Sequence, residues 1–140
     1  MCSSDLGFVF KIQANMDPRH RDRIAFIRVV SGTFEREMTV THVQGDRKIK
    51  LNSAQRLFGR DRETVDDAFA GDVVGIVGHD TLGIGDTIAT DRGIRFSEMP
   101  TFVPEIFSYI HNPSPGNAKK YSLGVKQLLH EGVVREFTLL

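Results

Sequence analysis

GFVFKIQANMDPRHRDRIAFIRVV, residues 7–30, holds two runs of strand character on either side of a polar loop. In the first run Phe8, Phe10, Ile12 and Ala14 alternate with Val9, Lys11 and Gln13, the period of two that a pleated strand imposes. The alternation predicts that Phe8, Phe10, Ile12 and Ala14 share one face. After the loop from Asn15 to Asp22, the second run, Arg23 to Val30, is β-branched and apolar at positions of both parities. Such a run suits a strand well buried in a closed sheet. Ser31-Gly32 ends it.

Working outward, shorter strands are expected near Glu37 to Val43, Lys48 to Leu51, Thr64 to Asp67, Asp72 to Val77 and Thr87 to Thr90. Gly45, Gly59, Gly71, Gly75, Gly78, Gly83 and Gly85 punctuate them, a density of glycine that argues for turns and barrel corners and against helices. The fold class is therefore mainly β, a closed β-barrel over residues 7–97. Residues 1–6, MCSSDL, are small and patternless and are expected to be a scar or disordered. The character changes near Ser97, where Pro100, Pro104, Pro113 and Pro115 fall close together. An apolar, aromatic stretch from Phe102 to Ile110 reads as a strand. Asn117 is placed to cap a helix running to about Glu131, with Tyr121, Val125, Leu128 and Leu129 on one apolar stripe and Gly132 positioned to end it. Val133 to Leu140 alternates again. Residues 98–140 thus read as a partial β-α-β segment, an α/β domain that begins without being completed.

Composition excludes several classes of function. Eighteen basic and eighteen acidic residues balance, so no overall field steers the chain to nucleic acid or to an anionic membrane. No run approaches the roughly 18 apolar residues of a membrane helix, and the expected location is cytoplasmic. The single cysteine, Cys2, allows no internal disulfide. There is no GxxxxGK[ST] phosphate loop and no GxGxxG fingerprint. Gly83-Ile84-Gly85-Asp86 imitates the latter but leads into a strand, whereas a phosphate needs a helix N-terminus. The histidines, His20, His42, His79, His111 and His130, show no metal-chelating spacing and read as surface or turn residues. His79-Asp80 is a turn by the same logic. The expected catalytic, cofactor and metal sites are none.

Two basic clusters remain, Arg19-His20-Arg21-Asp22-Arg23 and the group Arg47, Lys48, Lys50, Arg56, Arg60 and Arg62. The planar guanidinium can donate two hydrogen bonds to one phosphate. Interspersed Asp22, Asp46, Asp61 and Glu63 offer the alternative that these arginines are only paired or solvated.

Residues 7–40 resemble the first strands of the β-barrel second domain of translational GTPases. AFAGDVVGIVGHDTLGIGDTI, residues 68–88, resembles its closing half, with Ala70-Gly71-Asp72 and Gly85-Asp86-Thr87 as turn signals. Gln13 to Pro18, followed by His20-Arg21-Asp22-Arg23, is similar more narrowly to the bacterial peptide chain release factor 3 family. So are Phe102 to Phe107, Gly124 to Leu128 and Glu131 to Val134, which match the opening of that family's third domain. The resemblance implies that the intact protein is a GTPase of translation termination that recycles class I release factors. It implies a ribosome partner, with Arg19, Arg21, Arg23, Arg60 and Arg62 on small-subunit RNA phosphates, which position without reading sequence. GTP or GDP and magnesium would belong only to the intact protein, and the GTPase domain, expected before Gly7, would be a second partner. By itself the chain is expected to be a non-enzymatic docking fragment. The alternative is a stand-alone RNA- or protein-binding barrel. The phenylalanines argue against base stacking, since most fall at alternating strand positions or in the apolar runs of the tail. Val133 to Leu140, an unpaired strand, is a template for self-association.

Overall fold

In a computed structural model that describes residues 4–14, 23–52, 54–58, 61–91, 93–97, 99 and 103–137, the two runs of residues 7–30 are paired strands. They are β1 (Leu6–Ala14) and β2 (Arg23–Ser31). They are followed by β3 (Thr33–Glu35), β4 (Thr39–His42), β5 (Arg47–Lys50), β6 (Ala54–Phe58), β7 (Asp61–Thr64), β8 (Asp67–Phe69), β9 (Val73–Val77) and β10 (Thr87–Ala89). Eight of these form one antiparallel sheet in the order β5-β4-β10-β1-β2-β9-β6-β7, with β1 and β2 at its centre. β3 and β8 make a separate two-stranded ribbon.

The sheet curls around one cluster of buried side chains that includes Val9, Ile27, Leu51, Val74, Ile76 and Leu82. The ribbon reaches one end of the curl, where Glu37, just after β3, meets Leu51, just after β5, while the Arg36–Asp66 bond extends the ribbon itself. Arg36 donates its backbone N–H to Asp66 O at 2.8 Å, and Glu37 donates to Leu51 O at 3.0 Å. The structure is thus a curled antiparallel half-barrel, coarser than the closed barrel expected. Thr64 to Asp67, expected as one strand, is divided between β7 and β8, with Val65 turned into the core. β3 and β6 were not anticipated, because runs as short as Thr33–Glu35 carry too few positions to show a period.

The alternation in β1 is corrected by a bulge. Val9 pairs with Ile27 and Lys11 with Phe26, so Phe10 has no opposite residue. The extra residue shifts the phase. Val9 and Ile12 therefore both enter the core, while Phe10 is 37% exposed. A second irregularity, at Val30 between Val29 and Ser31, similarly interrupts β2.

Beyond the sheet, the helix expected from the apolar stripe is present as α1 (Ala118–His130), after a short 3-10 turn at Pro115–Asn117. The strands expected on either side of it are not formed among the described residues, where 103–110 and 133–137 have no ladder partner. Strand propensity without a neighbouring strand leaves backbone groups unpaired, and extended segments then stay irregular. Phe107 and Phe137 do approach each other, with ring centroids 6.0 Å apart. No helix among the described residues is long and apolar enough to cross a membrane.

Candidate interaction surface

Arg23 opens β2 opposite Ala14 and is the one arginine of the five whose side chain is described. It does not project freely. Its guanidinium donates to Asp80 O at 2.6 Å and to Leu82 O at 2.8 Å, fastening the β9–β10 loop to the edge of β2. Burial lowers its pKa, and Asp80 and Glu131 oppose that shift. Arg19, Arg21 and Arg60 lie outside the described residues. Arg62 sits in β7 with its backbone opposite Leu57, and its side chain lies outside them too.

The end of α1 meets the same corner. Glu131 Oε1 accepts the backbone N–H of Ala14 at 3.1 Å, tying the end of α1 to the end of β1. Gly132 turns the chain with φ +70°, and a methyl group in place of its hydrogen would lie 2.8 Å from Ile84 Cδ1. Burial, then the Arg23 charge, pushes the His130 imidazole below its ordinary pKa, while Asp80 and Asp86 act the other way.

A buried polar cluster joins β4 to β10. His42 Nε2 lies 2.7 Å from Asp86 Oδ2, with the His42 side chain 5% exposed. The same Oδ2 accepts the Gly83 N–H at 2.6 Å. Gln44 accepts from Thr87 N at 2.8 Å and donates to Gly85 O at 3.1 Å, while Thr87 Oγ1 accepts from Phe96 N at 2.9 Å. The Gly83 amide, which a phosphate would need, is thus taken by the carboxylate of its own loop. The turn expected at Gly83 to Asp86 is what forms. His42 was expected at a surface or turn, and the structure buries it, because its acceptor comes from a strand neighbour far along the chain. The pair braces the turn that carries Gly83. Among the described residues no three His, Cys, Asp or Glu side chains are grouped to hold a metal.

On the outer face of the sheet, the bulged Phe10 lies against Phe26, with centroids 6.4 Å apart, and Lys11 Nζ sits 5.5 Å from the Phe26 centroid. Phe8 is covered edge-on by Phe96 at 5.2 Å.

This ten-strand arrangement, with β1 and β2 central and β10 joining β1 to β4, spans the region matched by the family model described as elongation factor G domain 2, residues 6–91. The chain belongs to the elongation factor G domain 2 family. Within it, the chain is 52% identical over 129 residues to peptide chain release factor 3 of Synechococcus elongatus, covering 92% of this chain and 23% of that protein. It is 52% identical over 129 residues to the protein of that name from Gloeobacter violaceus, covering 24% of it, and 45% identical to that of Rippkaea orientalis. The likeness is too long to fit within residues 6–91 and so runs into the segment that carries α1. The chain spans about a quarter of the length of these curated relatives.

Proposed function

We propose that the chain is the ribosome-docking part of a release factor 3-like translational GTPase, acting in translation termination in the cytoplasm. The observation that carries this is the 52% identity over 129 residues, which spans domain-2 strands and the helical segment together. On this reading the chain is not itself an enzyme. GTP or GDP and magnesium are handled elsewhere in the intact protein, and the GTPase domain packs against this one.

The half-barrel closes through its ribbon, a reading supported at the β5 end by the Glu37–Leu51 backbone bond. Residues 7–97 form this barrel and 98–140 open the next domain. Arg19, Arg21, Arg60 and Arg62 are assigned to phosphates of small-subunit RNA, whereas the two carbonyl bonds of Arg23 support a bracing role beside any phosphate contact. Competition tests the proposal. Added to terminating ribosomes carrying Synechococcus elongatus release factor 3, the chain should displace that protein in a salt-dependent manner. No displacement at any concentration up to saturation of the ribosomes would refute docking.

Association of two copies is a second reading, favoured by one observation. Val103, Ile106, Phe107, Tyr109 and Ile110 are 68–89% exposed, a larger apolar surface than isolated surface residues produce. Light scattering should then show a mass that rises with concentration, and a constant monomer mass would exclude it.

A further inference from the structure

We infer that the outer face of β1, β2 and β9 is a nucleotide-stacking site for single-stranded RNA, with Phe10 as the platform and Lys11 and Arg28 as phosphate contacts. The β1 bulge is the origin of the site. Had the alternation run unbroken from a buried Val9, Lys11 would point into the core. The bulge instead lets Phe10 and Lys11 share the outside, and a bulge that re-aims side chains is a feature associated with function. Phe10 is 37% exposed and its ring is held by Phe26, so its orientation is set before any ligand arrives.

Charge decides which occupant the face fits. The outer face carries Phe8, Phe10 and Lys11 on β1, Phe26, Arg28 and Val30 on β2, and Val73 on β9, with no aspartate or glutamate among them, and it ends at Ile24, which is paired with Gln13 and Val77 and is buried. Arg28 lies opposite both Phe8 and Val73, and among the described residues neither it nor Lys11 has an ion-pair partner. Lys11 faces Phe26, two residues from Arg28, so the two strand positions are about 7 Å apart along the chain direction. Two unpaired cations bracketing an exposed ring suit a polyanion with π-faces, which is what an unstacked strand of RNA presents. A duplex offers no free base face to Phe10.

The stacking site rests on this geometry; only the source of the RNA, the small ribosomal subunit, rests on the proposed function. The test titrates the chain into a labelled ten-nucleotide single-stranded RNA, followed by anisotropy, and separately pellets it with small subunits. The wild type should bind the single strand better than the duplex of the same sequence. Phe10→Ala should weaken binding about tenfold, while Phe10→Trp, which retains a stacking surface, should not. Lys11→Glu and Arg28→Glu should each weaken binding and lower the salt slope by about one. A wild type that ignores the single strand, or a Phe10→Ala variant that binds it normally, overturns the inference. If the variants still pellet normally with subunits, docking stands and this face is not the contact. If Phe10→Ala spares RNA but weakens association with the GTP-binding part of Synechococcus elongatus release factor 3, the face is a protein contact and the inference falls. If the single strand binds as expected but the wild type does not pellet, the site stands and the docking proposal fails.

Discussion

Asp86 accepts from two donors with one oxygen, His42 Nε2 at 2.7 Å and Gly83 N at 2.6 Å, in a corner where His42 and Thr87 are buried. Asp86→Ala would leave both donors without an acceptor. Each buried unsatisfied group costs about 1–3 kcal/mol, so the urea midpoint should fall by an amount equivalent to roughly 2–6 kcal/mol, with the m-value unchanged. A midpoint within experimental error of wild type would mean that water replaces the carboxylate. This corner was poorly legible in the sequence. His42 is one of five scattered histidines, and its acceptor lies 44 residues away, a separation that no local period encodes. Asp86 was noticed only as part of a glycine turn. Arg23 is the opposite case: the sequence suggests a phosphate contact, whereas in the structure its guanidinium bonds two carbonyls of its own fold. Arg23→Ala should therefore speed amide exchange across the 78–86 loop, which a solvated arginine would not do.

At the scale of elements, β1, β2 and α1 were legible because each is long enough to display its period, and Gly132 ends the helix as expected, whereas Asn117 stands at the N-cap position without the side-chain cap bond expected of it. The bulge at Phe10 was not. Alternation in a sequence assigns faces only while the ladder stays in phase, and Phe-Lys gives no sign that one residue will be skipped. The strands expected beside α1 show the complementary lesson, that an apolar alternating run becomes a strand only where another offers its edge. Gly132→Ala places a side chain at φ +70° and against Ile84, which should cost about 1 kcal/mol and lower the melting temperature by roughly 2–4 °C. His130 adds a pH dependence. Its folded pKa lies below the ordinary 6.5 because of burial and Arg23, with Asp80 and Asp86 opposing. The unfolded chain therefore takes up the proton first, and stability should decline as pH falls from about 6.5 through the lower folded value. His130→Gln should flatten that decline between those limits in urea melts, while an unchanged slope would assign it to other groups.

At the scale of the whole molecule, four of the sheet's seven neighbour pairs are non-consecutive, with β10 set between β1 and β4 and β9 between β2 and β6. Strand positions along the chain do not determine such an order, and the residues that resemble a family supplied what periodicity could not. Arg19, Arg21, Arg60 and Arg62 are proposed from the sequence alone, and Phe10, Lys11 and Arg28 form the part of the proposed surface that only the bulge makes visible. The central claim is that this chain does for its protein what the matched segment does in release factor 3. The direct measurement replaces that segment of Synechococcus elongatus release factor 3 with the aligned 129 residues and follows GTP-dependent removal of a class I release factor from terminated ribosomes. The account predicts removal at a rate within a few-fold of the parent. A chimera that folds and hydrolyses GTP yet leaves the class I factor bound would contradict it.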